Sequence, residues 1–139
     1  MQGRVSLGID TSCYTTSVAC TDKRSIVFEK RTMLSVPFGN RGLRQSEGLF
    51  QHVKQLSPLL CELFETVDAS RIATVAVSAS PTSRKDSYMP VFLAGLKQAE
   101  TLAAALQAHY GIDAALAQKD AHAFLEKMDA NGLIDKKED

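Results

Sequence analysis

The chain has 139 residues, 45% hydrophobic and 23% charged, the proportions of one soluble globular domain large enough to bury its own core. Its sixteen basic and sixteen acidic residues cancel, so no global field draws it onto nucleic acid and any RNA contact has to be local. No apolar run approaches the roughly 20 residues that span a bilayer, which excludes a helical membrane span and gives the protein no membrane partner.

Val5, Leu7 and Ile9 alternate ahead of Asp10 and predict a first strand. Met1-Gln2-Gly3-Arg4 leads straight into it and leaves no room for a secretion signal, which predicts a cytoplasmic location. Thr16 to Thr21 and Ser25 to Met33 read as two further strands, joined by a turn at Thr21-Asp22-Lys23-Arg24, so the first third of the chain predicts a three-stranded antiparallel meander. Ser35 to Gly42 carries the Pro, Gly and Asn that punctuate a loop. Leu49, Phe50, Val53, Leu56, Leu60, Leu63, Phe64 and Val67 then recur at helical spacing, with Pro58 predicting a kink or break near Gln55 to Pro58.

Ile72 to Ser78 predicts a buried strand, and Pro90 to Tyr110 a second helix ended by Gly111. Val91, Phe92, Leu96, Ala99, Leu102, Ala103 and Leu106 form its apolar face. Asp113 to Ala117 is a candidate fifth strand. Lys119 to Met128 has helical spacing with Asp120 as a candidate N-cap, and residues 135–139 are too charged to pack. The division expected is one lobe over 1–117 and a helical or partly disordered tail over 118–139. Cys13, Cys20 and Cys61 form no CxxC pattern and predict free thiols, with Cys20 and Cys61 as small core residues. Cys13 could serve as a nucleophile only beside a base that makes its thiolate, and nothing in the sequence supplies one.

Two segments carry more than structure. One is Leu7-Gly8-Ile9-Asp10-Thr11-Ser12-Cys13-Tyr14-Thr15-Thr16-Ser17-Val18-Ala19-Cys20; the other is Ser87-Tyr88-Met89-Pro90-Val91-Phe92-Leu93-Ala94-Gly95. In this order they resemble the glycoprotease-like (Gcp/TsaD-type) family of tRNA threonylcarbamoyladenosine synthesis, over about Val5 to Tyr110. The resemblance implies an α/β fold, a ribonuclease H-like/actin-like ATPase lobe in which the meander is followed by helix, strand and helix. The family's enzymes are built from two such lobes with the active site between them, and this chain has the residues of one.

Carried over by the resemblance, Asp10 takes the role of the acid that orients a metal-bound water. Thr11, Ser12, Cys13, Tyr14 and Thr15 form the turn that cradles phosphate, as free amides around a concavity do. Arg84 and Lys85 become anion contacts in the loop before the second helix, although exposed basic pairs such as these, or Arg41 with Arg44, are commonly solvated loop residues. Tyr14 stands where the tRNA-modifying enzymes carry an acidic residue, and an aromatic ring there cannot coordinate a metal. The loop from Ser78 to Ser87 has no glycine where relatives are glycine-rich.

The family's metal histidines lie four residues apart. Here His122 has Glu126 at that distance, and His109 near a helix end is explained by the helix dipole. His52 sits in a stretch similar to the family's long helix, with its histidine and downstream proline, which packs against a partner lobe. The resemblance therefore implies a single lobe that is not catalytic alone and works by dimerisation or partner binding through the helices around His52 and Leu96, reaching tRNA only indirectly. The isolated chain is expected to bind no cofactor, with ATP or ADP and a divalent metal belonging to a two-lobed protein. The alternatives are an ATP- and metal-dependent threonylcarbamoyltransferase, or the metallo-endopeptidase the family was once named for, although no HExxH is present.

Overall fold

A computed structural model describes residues 3–111 and the backbone of 115–120. Its five-stranded sheet is built from β1 (Val5–Asp10), β2 (Thr15–Thr21), β3 (Ile26–Met33), β4 (Ile72–Ser80) and β5 (Ala115–Asp120) in the order β3-β2-β1-β4-β5. β1, β2 and β3 form the antiparallel meander that the alternation predicts, with Leu7 opposite Cys20 and Val18 opposite Lys30. β4 then lies parallel to β1, bringing Val77 beside Ile9, and β5 lies parallel to β4 on the far edge. The fifth strand is thus present, two residues later than the sequence suggests.

Helices α1 (Gln45–Thr66) and α2 (Phe92–Tyr110) supply the two connections between parallel strands. They touch each other and cover one face of the sheet, α1 over β2 and β3, α2 over β4 and β5. Val5, Leu7 and Ile9 of β1, Val18 and Cys20 of β2, and Ile72, Val75 and Val77 of β4 meet Leu56, Leu59, Leu60 and Leu63 of α1 and Ala99, Ala103 and Leu106 of α2 in a single apolar cluster. Small and hydroxylated residues, among them Gly8, Ser17, Ala19 and Ala76, stand half-exposed on the strands between these inward positions. The period of two in the strands and of 3.6 in the helices is what aligns the two apolar faces.

α1 runs uninterrupted through Pro58, where the sequence predicts a kink or break. Pro58 and Lys54 both lie on the exposed side of the helix, so the carbonyl of Lys54 that loses its N–H partner can be hydrated instead of stranded in the core. Gly111 closes α2 as expected, in the left-handed conformation at φ 61°, its N–H donating to the Gln107 carbonyl. The β2–β3 turn is tied by Asp22, whose carboxylate accepts from the N–H groups of Arg24 and Ser25.

All three cysteines are free thiols. Cys20 is a core residue, and burial pushes its thiol up to about 11, against a smaller opposing effect of Arg71. Cys61 is not the core residue the sequence reading makes it. It projects from the exposed face of α1, one position past the buried Leu60. Of the helix predicted over Lys119 to Met128, Lys119 and Asp120 are instead the last two residues of β5, paired with β4, and the rest of it and the His122/Glu126 pair lie outside the described residues. No helix among those described is long and apolar enough to cross a membrane.

Candidate functional site

The first hairpin turn is built by its own side chains. Asp10, the last residue of β1, accepts the Ser12 N–H on one oxygen and the Ser12 hydroxyl on the other, each at 3.0 Å. An aspartate that closes a turn on the residue two positions on is a local motif a sequence of this kind favours. A third donor comes from across the sheet, where the Ser78 hydroxyl binds the same Asp10 oxygen that takes the Ser12 amide. The carboxylate is thereby aimed and half-buried, with three donors fixing its orientation.

Thr11 turns inward. It is fully buried, its hydroxyl donating to the Val91 carbonyl at 2.8 Å and accepting the Gly95 N–H at 3.2 Å. The hairpin is so stitched to the first turn of α2, and the two segments singled out in the sequence meet here. Gly95 is what permits the approach: a Cβ at that position would lie 3.1 Å from the Thr11 hydroxyl and 3.2 Å from a Val77 methyl.

A small cavity of about 130 Å³ opens beside the turn, toward the start of α1. Ser12, Cys13, Tyr14, Arg44, Gln45 and Met89 are among its walls. Tyr14 closes one side, its hydroxyl accepting the Leu43 N–H at 3.3 Å. Gly42 lets the chain pass there, since a Cβ on it would fall 2.7 Å from that hydroxyl. Behind the turn lies His52, which is fully buried. Its Nε2 meets the Cys13 carbonyl and its Nδ1 meets the Thr16 hydroxyl, both at 2.8 Å. Burial pulls the imidazole below its ordinary pKa, against smaller opposing effects of the Cys13 carbonyl and the Asp10 charge.

The sequence-predicted site residues therefore separate. Asp10, Ser12 and Cys13 share the turn, with Ser12 and Cys13 facing the cavity. Thr11 is a tether in the core, and Thr15 opens β2 opposite Met33. Arg84 and Lys85 are exposed in the loop before α2, away from the cavity walls. Ser78 and Gln45 were not singled out for this site, although the parallel pairing of β1 with β4 carries Ser78 to Asp10. Among the described residues, no three His, Cys, Asp or Glu side chains come together as a metal set.

Solved structures share this architecture. YeaZ from Pseudomonas aeruginosa superposes with a TM-score of 0.61 at 17% identity, covering 93% of this chain and 50% of its own. An uncharacterized protein with similarity to peptidase YEAZ, from the same organism, gives a TM-score of 0.62 at 17% identity, covering 89% of this chain and 46% of its own. The fold is the ribonuclease H-like, actin-type ATPase lobe. This chain spans about half the length of the solved structures it matches. The likeness of the folded chain agrees with the fold expected from the two sequence segments. A family model for coenzyme PQQ synthesis protein D (PqqD) matches residues 92–134, less than half of the chain, beginning with α2. No curated protein sequence matches the chain.

Proposed function

We propose that this chain is a non-catalytic lobe of the glycoprotease-like type, related to tRNA N6-threonylcarbamoyladenosine modification, which works in the cytoplasm by pairing with a second copy of itself. The observation that carries the pairing is the outer surface of α1. Phe50 is 67% exposed and Val53 56% exposed. Phe50 borders a groove of about 500 Å³ between α1 and β3, whose rim carries Lys54 and the ion pair that Lys30 and Glu62 form with each other. Aromatic and aliphatic side chains left in water beside a groove with charges of both signs suit a self-complementary, two-fold contact. In this reading tRNA is reached through partners.

Sedimentation of the wild type is expected to report a dimer, and Phe50→Glu a folded monomer. A wild type that stays monomeric at high concentration overturns the pairing. Leu56, at 1% exposure, belongs to the core and is no probe of this surface.

A second reading, a nucleotide-dependent transferase, is favoured by the aimed Asp10 carboxylate and the cavity beside it. A single lobe makes roughly half the contacts of a two-lobed cleft, so calorimetry with ATP is expected to show nothing tighter than about the millimolar range. A micromolar constant abolished by Asp10→Ala would favour the second reading over the first.

A further inference from the structure

Four polar contacts run in a line beneath the hairpin turn. The Cys13 carbonyl meets His52 Nε2 at 2.8 Å, His52 Nδ1 meets Thr16 Oγ1 at 2.8 Å, Thr16 Oγ1 meets Gln55 Oε1 at 2.8 Å, and Gln55 Nε2 meets the Met33 carbonyl at 3.3 Å. Both ends of the line are backbone carbonyls, which only accept. Each contact needs one proton between its two heavy atoms.

A neutral imidazole cannot supply enough. Its one N–H must sit on Nε2, because the Cys13 carbonyl has no proton to give. Nδ1 is then an acceptor and takes the single proton of Thr16. The Thr16 oxygen is left facing Gln55 Oε1 with nothing between them. Turning the Gln55 amide over puts an N–H on Thr16 but sets Oε1 against the Met33 carbonyl, with the same fault at the other end. A second ring proton removes the fault: Nδ1–H donates to Thr16, Thr16 donates to Gln55, and Gln55 donates to Met33. Only the imidazolium gives all four contacts their proton.

We infer that His52 is a proton-operated latch, in which protonation of the ring closes the line from the hairpin turn to the end of β3 and deprotonation frees Gln55 from Thr16 or from Met33. Gln55 also lines the groove between α1 and β3, so the state of the ring sets one wall of that groove. The charges around the ring leave it free to respond. Asp10 at the end of β1 acts on it and favours the second proton, while burial opposes it. Cys13 and Tyr14 are the other titratable side chains of the turn. Cys20, on β2, lies four residues beyond Thr16 with its thiol pushed up to about 11. Glu29, Lys30 and Arg31 of β3, Glu47 and Lys54 of α1, and Lys97 and Glu100 of α2 are exposed. The latch does not depend on whether α1 pairs with a second copy.

The test is an NMR titration of the ¹⁵N-labelled full chain between about pH 4.5 and 8.5, reading the ring nitrogens of His52 and the side-chain amide of Gln55. Both ring nitrogens are expected to become protonated toward the acid end, with the Gln55 amide shifting at the same midpoint. Gln55→Ala frees the Thr16 proton for Nδ1 and satisfies the neutral ring, so its midpoint is expected to fall by about one pH unit, tenfold in proton affinity. Gln55→Met, which keeps the reach of the side chain without its amide, repeats that reading without a cavity. Gln55→Glu gives Thr16 a stronger acceptor and is expected to raise the midpoint by about as much. Variants that leave the midpoint where the wild type has it, or a wild-type ring that gains no second proton before the chain unfolds in acid, overturn the latch.

Discussion

Leu56→Glu is expected to leave the chain largely unfolded at neutral pH, while Phe50→Glu, six positions earlier on the same helix, leaves its stability nearly unchanged. Leu56 is 1% exposed and packs in the cluster that joins α1 to β1, β2 and β4. Removing its side chain from that cluster forfeits about 1.5–3 kcal/mol of apolar burial. An unpaired carboxylate left in its place costs about 3–5 kcal/mol more, or protonates at a cost of similar origin. A domain of this size has only about 5–15 kcal/mol in hand, so a loss of about 4.5–8 kcal/mol removes most or all of the stability of a domain in the lower part of that range. Phe50 is 67% exposed, and surface changes of that kind stay within about 0.5 kcal/mol. Far-UV circular dichroism and urea midpoints of the two variants measure the contrast. A Leu56→Glu protein with the wild-type midpoint would mean that α1 presents a different face to the sheet.

The same helix shows what the sequence can and cannot disclose. Leu56, Leu60 and Leu63, read from the sequence as part of its apolar pattern, are buried, and Leu59, which that pattern passes over, is buried with them. Phe50 and Val53 belong to the same list by hydrophobicity but lie outside the arc that α1 turns to the sheet, and composition alone cannot separate the two sets. Pro58 misled for a related reason. Its cost in a helix depends on where the orphaned carbonyl points, and exposure of Lys54 and Pro58 makes that cost small.

The meander, the crossover helices and the Gly111 cap follow from patterns local in sequence, which is why they were legible. The site was legible only in part. Asp10, Ser12 and Cys13 lie within four consecutive residues, and their turn is a local motif. Ser78 joins them from 68 residues away, and the Thr16, His52 and Gln55 contacts span 36 and 39, through pairings that exist only once the sheet has its order. His52 illustrates the difference most sharply. By spacing it reads as one polar residue in an amphipathic helix, and by structure it is the most buried ionisable group the hairpin turn leans on.

His52→Ala should accordingly cost more than a typical helix substitution. The change removes the donor to the Cys13 carbonyl and the partner of the buried Thr16 hydroxyl, and leaves a void where the ring was. Leaving buried polar groups unpaired costs about 1–3 kcal/mol, and the void adds to it, so a loss of about 2–4 kcal/mol is expected near neutral pH. The loss should depend on pH with a definite sign. Because the ring's pKa is lowered in the folded protein, the unfolded chain binds more protons in the interval between that value and the ordinary histidine value of about 6.5. Stability contributed by the neutral ring is therefore whole above about pH 6.5 and falls as pH drops through the interval, at no more than about 1.4 kcal/mol per pH unit for one proton. The alanine variant has no such group at 52, and every other titrating residue cancels in the difference between the two proteins. Urea unfolding at several pH values is expected to show the wild type's advantage over His52→Ala at its largest in mildly alkaline solution and shrinking below about pH 6.5. An advantage that stays constant or grows toward acid would mean that the ring is held charged in the fold, with the network's four hydrogen bonds outweighing the burial of that charge.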